Sequence, residues 1–103
     1  MIYPYYEKSE VLKTEKACGY LLAETENNDI VELLILKDGV VPAHALPIDV
    51  VFYVISGRGK ITITNEVTNA LKGYVIAVKK NLDRTWQNPF DEPLKLLVIK
   101  QKP

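Results

Sequence analysis

Apolar and polar residues alternate along most of this chain, and β-branched residues concentrate where they do, which predicts strands. CGYLLAE (18–24) is one such run, followed by the polar turn TENND (25–29). IVELLILKDG (30–39) predicts a strand that ends at the Asp38-Gly39 turn signal. VVFYVIS (50–56) is apolar at nearly every position, the pattern of a strand covered on both faces. GRGKITITN (57–65) opens with a glycine turn and continues as a strand with Ile61 and Ile63 on one face and Thr62 and Thr64 on the other. EVTNALKG (66–73) holds a short strand, and YVIAV (74–78), RTWQN (84–88) and LKLLVIK (94–100) complete a set of about eight. The six prolines fall in turns or at strand edges on this reading. Helical spacing is weak and confined to the first fifteen residues, where EKSEVLKTE reads as a helical turn or a loop. Many short strands with frequent turn signals predict an all-β antiparallel sandwich or barrel.

At 103 residues the chain is expected to form one domain, with 48% hydrophobic residues to build its core. Thirteen basic residues balance thirteen acidic ones, so no electrostatic footprint for nucleic acid or an anionic membrane exists. Cys18 is the single cysteine, which excludes an internal disulfide. The start, MIYPYYEKSE, lacks a basic region followed by an apolar run, and no apolar run is long enough to span a bilayer. These features predict a cytoplasmic protein.

One stretch and its downstream partner carry a family likeness. GVVPAHALPIDVVFYVISGRG (39–59) resembles the first motif of the cupin family, written G-x5-H-x-H-x3,4-E-x6-G. Gly39 opens it, His44 takes the first histidine place with one residue fewer before it, and Gly57 closes it. The second motif, G-x5-P-x-G-x2-H-x3-N, is similar to the run from Gly73 to Asn88, with Lys79, Asn81 and Arg84 at the proline, glycine and histidine places. The likeness covers roughly residues 30–100 and implies a small RmlC-like jelly-roll barrel with a short irregular or helical N-terminal arm.

The resemblance also implies where a metal would sit, and the residues there argue against one. Metal-binding cupins use two histidines and a glutamate of the first motif and a histidine of the second. His44 is kept, whereas Leu46, Val50 and Arg84 fill the other three places. Leucine and valine donate no lone pair, and a guanidinium repels a cation. No family-type metal site and no cofactor is therefore expected. A non-standard set of His44, Glu32 and Cys18 is geometrically conceivable if Glu32 shares an inward face with Leu34 and Leu36. Asp49 is expected to point away from Val50.

On the cupin alignment, His44, Leu46, Val50 and Phe52 line one side of the cup, and Arg84, Trp86 and Asn88 line another. That makes an apolar pocket with a few convergent polar groups, the composition of a small-molecule site. Arg84 would favour a carboxylate or phosphate, Trp86 offers a flat surface, and His44 is the candidate acid or base. Each has a plainer reading: His44 as a bonded residue at a strand start, Arg84 paired at the surface with Asp83 or Asp91, Trp86 as core, Asn88 before Pro89 as a turn former, Glu32 as an exposed strand residue, Cys18 as a small buried hydrophobe.

Three functions stay open on the sequence. The first is a metal-free cup binding a small anionic or aromatic ligand. The second is an enzyme, either an isomerase or epimerase with His44 as base or a metal-dependent oxygenase with non-standard ligands. The third is a structural dimer with a filled barrel. Tyr3, Tyr5 and Tyr6 point to a homodimer interface or to an arm that caps its own domain.

Overall fold

The computed structural model describes residues 1–42 and 45–103. Ala43 and His44, and with them the expectations placed on His44, lie outside the described residues. After a single 3-10 turn (Tyr5–Glu7), ten strands follow among the described residues: β1 (Ser9–Lys13), β2 (Ala17–Glu24), β3 (Asn28–Ile35), β4 (Val40–Val41), β5 (Val50–Ser56), β6 (Gly59–Ile63), β7 (Glu66–Ala70), β8 (Val75–Val78), β9 (Arg84–Gln87) and β10 (Leu94–Gln101). Every pairing is antiparallel. They form a six-stranded sheet ordered β1-β2-β3-β10-β5-β8 and a four-stranded sheet ordered β4-β9-β6-β7. Two facing sheets with crossovers make a jelly roll rather than a continuously bonded barrel.

The inner faces follow a period of two. Val31, Leu33 and Ile35 of β3 are buried, as are Val50, Phe52 and Val54 of β5 and Leu94, Leu96 and Val98 of β10. The four-stranded sheet supplies Ile61 and Trp86. Each such side chain gains roughly 1.5–3 kcal/mol from leaving water. β10 is the spine of the larger sheet: it pairs with β3 from Leu94↔Ile35 to Gln101↔Asn28, and with β5 through Val98↔Phe52.

Turn chemistry sets the register. Gly57 lies at φ 76°, and a Cβ there would run into the carbonyl oxygen of Pro93, so only glycine fits between β5 and β6. Thr64 and Asn65, both at positive φ, form a two-residue turn between Ile63 and Glu66 that ends β6 earlier than the Ile/Thr alternation predicts.

Three sequence expectations change, and of the two readings left open for Glu32 the outward one holds. The segment read as a helical turn or loop contains β1, an edge strand whose register shifts between Glu10 and Leu12. β4 is an added two-residue strand. β5 is covered on its inner face only, since Tyr53 is 41% exposed and Val51 and Ile55 are half-buried. Glu32 occupies the outer face, opposite in parity to buried Val31 and Leu33. No helix among the described residues is long and apolar enough to cross a membrane.

Candidate functional site

A cavity of about 260 Å³ opens between the two sheets. Val31, Leu33, Val98 and Phe52 line it from the six-stranded sheet, and Val41 and Trp86 from the other. Leu46 closes one side. The loop carrying Leu46 is tied to the turn before β9 at two points: Asn81 N–H donates to the Leu46 carbonyl at 2.6 Å, and Lys80 N–H donates to Asp49 Oδ1 at 2.8 Å. Asp49, exposed, thus anchors the wall from outside, as its parity predicts. Phe52 and Trp86 meet edge to face across the floor, ring centroids 5.4 Å apart at 72°.

β9 supplies the polar chemistry. Arg84 and Trp86 alternate inward while Thr85 and Gln87 face out, and Trp86 pairs with Val41 on one side and Ile61 on the other. Arg84 is only 8% exposed, and burial pushes its guanidinium below its ordinary pKa. Among the described residues its Nη1 has no hydrogen-bond partner, and neither does the buried indole Nε1 of Trp86. The surface pairing of Arg84 with Asp83 or Asp91 does not form; Asp91 pairs instead with Lys37 at 2.9 Å. Buried donors without partners are uncommon and costly, so each calls for a physical explanation.

Of the residues the sequence grouped together, Leu46, Phe52, Arg84 and Trp86 meet around the cavity. Val50 is buried in the core beside Val78 instead of lining the cavity. Asn88 is likewise absent from the lining, because its side chain is committed elsewhere. Its Nδ2 donates to the Ile35 carbonyl at 2.9 Å and the Glu92 carbonyl at 2.8 Å, and its Oδ1 accepts from Phe90 N–H at 3.0 Å. The turn-forming reading describes it.

Lys100 is a cavity residue that sequence reasoning missed. It follows Leu94, Leu96 and Val98 in inward parity, half-buried at the end of the run. Counting in twos from the leucines would have found it.

The described residues do not fit a metal. Glu32 and Cys18 lie on the outer face, where Glu32 Oε1 accepts from Tyr5 Oη–H at 2.7 Å and raises the Tyr5 pKa above its usual value. Glu32 is therefore the outward-facing strand residue of its plainer reading, and the conditional inward set with Cys18 does not form. No three His, Cys, Asp or Glu side chains come together among the described residues. A guanidinium inside the cavity is hostile to a cation.

Comparison with known proteins places the fold. The family model described as Cupin domain matches residues 32–100. A predicted oxalate decarboxylase from Thermotoga maritima is similar in structure, with a TM-score of 0.86 and 12% identity over 100% of both chains. The polyketide cyclase RemF from Streptomyces resistomycificus gives 0.84 and 11%, over 98% of this chain and 78% of that one. KdgF from Halomonas sp. gives 0.83 and 12%, over 100% and 96%. At such identities the likeness is one of fold. No curated protein matches the chain in sequence.

Proposed function

Because the chain belongs to the cupin family, we propose that it is a small-molecule-binding cup that works without a transition metal and favours an anionic or aromatic ligand. The observation that carries this reading is a cavity with mostly apolar walls and one buried guanidinium, Arg84, whose Nη1 has no partner among the described residues. Its relatives in structure are described as a decarboxylase and a cyclase among others, so the fold alone does not choose a chemistry. The choice rests on the side chains of this cavity.

Two measurements test it. A thermal-shift screen of small acids and aromatic compounds should yield stabilising ligands whose effect disappears in Leu46→Trp, which fills the cup. A screen in which every responsive compound acts equally on both proteins would overturn the reading. Elemental analysis after mild chelation should find less than about a tenth of an equivalent of any transition metal. A near-stoichiometric metal bound tightly, as three or four donors would bind it, would refute the metal-free part.

We further propose a homodimer through the outer face of the six-stranded sheet. That face carries Val51, Tyr53 and Ile55 of β5 beside Leu97 and Ile99 of β10. Six strands about 4.8 Å apart and about seven residues long project roughly 550 Å². With side-chain relief this approaches the ~800 Å² per partner of a standard interface. The N-terminal arm reinforces the face and also caps its own domain: Tyr5 bonds Glu32, Tyr3 Oη–H donates to the Glu24 carbonyl at 3.2 Å, and Tyr6 stays exposed. Light scattering should give twice the 11.7 kDa chain mass, reverting to one chain in Tyr53→Lys. A monomeric wild type at micromolar concentration would sink the dimer.

A further inference from the structure

We infer that the cup selects a small organic monocarboxylate with an apolar or aromatic body, gripped by Arg84 and read by the indole N–H of Trp86. This rests on the reading of the cup as a ligand site and narrows the ligand class.

Thirteen of the described residues line the cavity, and the charged ones among them are Arg84 and Lys100. Both are cations, they stand on opposite sheets, and no carboxylate joins them in the lining. The ion pairs among the described residues involve Lys37 and Lys102, neither of which lines the cavity. A buried guanidinium without an anion is unfavourable, a cost that a methionine of similar length would avoid. Retaining arginine there makes sense if an anion arrives to complete it.

Geometry narrows the anion. A carboxylate has two coplanar oxygens and one charge, which matches the guanidinium fork. The Trp86 Nε1 donor, two residues along the same inward face, is 2% exposed at the residue level and also unpartnered. Together these are one buried positive charge and one neutral donor. A phosphate dianion would bring a second charge and a third oxygen, and among the described lining residues half-buried Lys100 alone remains to meet them. The remaining walls, Phe52, Leu46, Val98 and Leu33, accept an apolar body. A cavity of about 260 Å³ lies just below the ~300–1,000 Å³ typical for drug-sized ligands, so the body is small.

Trp86 is the single tryptophan, so its indole N–H resonance and its fluorescence report on this wall alone. The test titrates the protein with 3-phenylpropionate, 3-phenylpropionamide, 3-phenylpropylamine and phenyl phosphate. The acid should move the Trp86 indole proton downfield and bind about tenfold or more tightly than the amide, as expected for a charge-assisted contact. In Arg84→Met that ratio should fall to near one while the amide still binds. Arg84→Lys, which keeps the charge and loses the fork, should fall in between. An amide or amine that binds as tightly as the acid, an acid preference that survives Arg84→Met, or tighter binding of phenyl phosphate would each overturn the carboxylate assignment and leave the cup reading standing. If none of the four probes moves the Trp86 signal, the cup reading fails with it.

Discussion

Arg84 and Asn88 sit four residues apart on the same inward face of β9 and its continuation, both polar and both buried. Asn88 satisfies its amide fully inside the protein, pinning the end of β3 to the turn before β10. Arg84 leaves Nη1 unpartnered among the described residues, beside an open cavity. The same burial thus has two meanings. A buried polar group whose partners are backbone atoms holds the fold together. One whose partners are missing among the described residues, next to space, is where we propose that a ligand binds.

Three substitutions on β9 and the turn that follows it separate the two roles. Asn88→Ala should have the largest effect on stability. It removes three hydrogen bonds and strands the Ile35 and Glu92 carbonyls, at a cost of about 3 kcal/mol. Chemical denaturation reads this directly, and a loss below about 1 kcal/mol would show that Asn88 is not the clamp described. Arg84→Met should do the opposite, leaving stability unchanged or raising it by about 1 kcal/mol, because an uncompensated buried charge is removed. A fall of several kcal/mol would mean that Arg84 has a structural partner after all. Trp86→Phe keeps an aromatic ring against Phe52 and deletes the indole donor. Stability should fall by about 1 kcal/mol for the smaller ring, and affinity for 3-phenylpropionate should fall about fivefold, near the worth of one hydrogen bond. An unchanged affinity would remove Trp86 from the clamp.

The smallest effect belongs to a polar pair that is partnered yet exposed, Tyr5 with Glu32 on the outer face. Accepting the phenol's proton in a hydrogen bond, Glu32 raises the Tyr5 pKa above 10.0. A raised folded-state pKa favours the protonated form, so the contact is intact below the free tyrosine value and is lost as pH rises through the folded one. Titration of labelled tyrosine by NMR should show Tyr5 ionising later than free tyrosine and returning toward it in Glu32→Gln, with no measurable change in stability at neutral pH.

Part of the inner wall is legible in the sequence. Alternation along RTWQN puts Arg84 and Trp86 on one face, the cupin resemblance is what aims Phe52 inward from a run apolar in both parity classes, and the glycine at 57 marks its turn by chemistry that no other residue can supply. IVELLILK is harder: both of its parity classes are largely apolar, because the outer face of the six-stranded sheet is itself apolar, and Glu32 is the single residue of the run that marks its class as the outward one. β1 escaped because an edge strand with a register shift has little alternation, only Leu12 being drawn inward. Asn88 shares the parity of Arg84, and its backbone partners, Ile35 and Glu92, come from elements whose approach no local pattern encodes.

Whether the donors of β9 left without partners among the described residues form a ligand site is decided by a high-resolution crystal structure of protein purified with no added ligand. Organic, non-metal density is expected in the cup, with an oxygen within about 3 Å of Arg84 Nη1. A cup in which a protein carboxylate or a fixed set of waters satisfies both Arg84 Nη1 and Trp86 Nε1, with no ligand density even after soaking in 3-phenylpropionate, would contradict it.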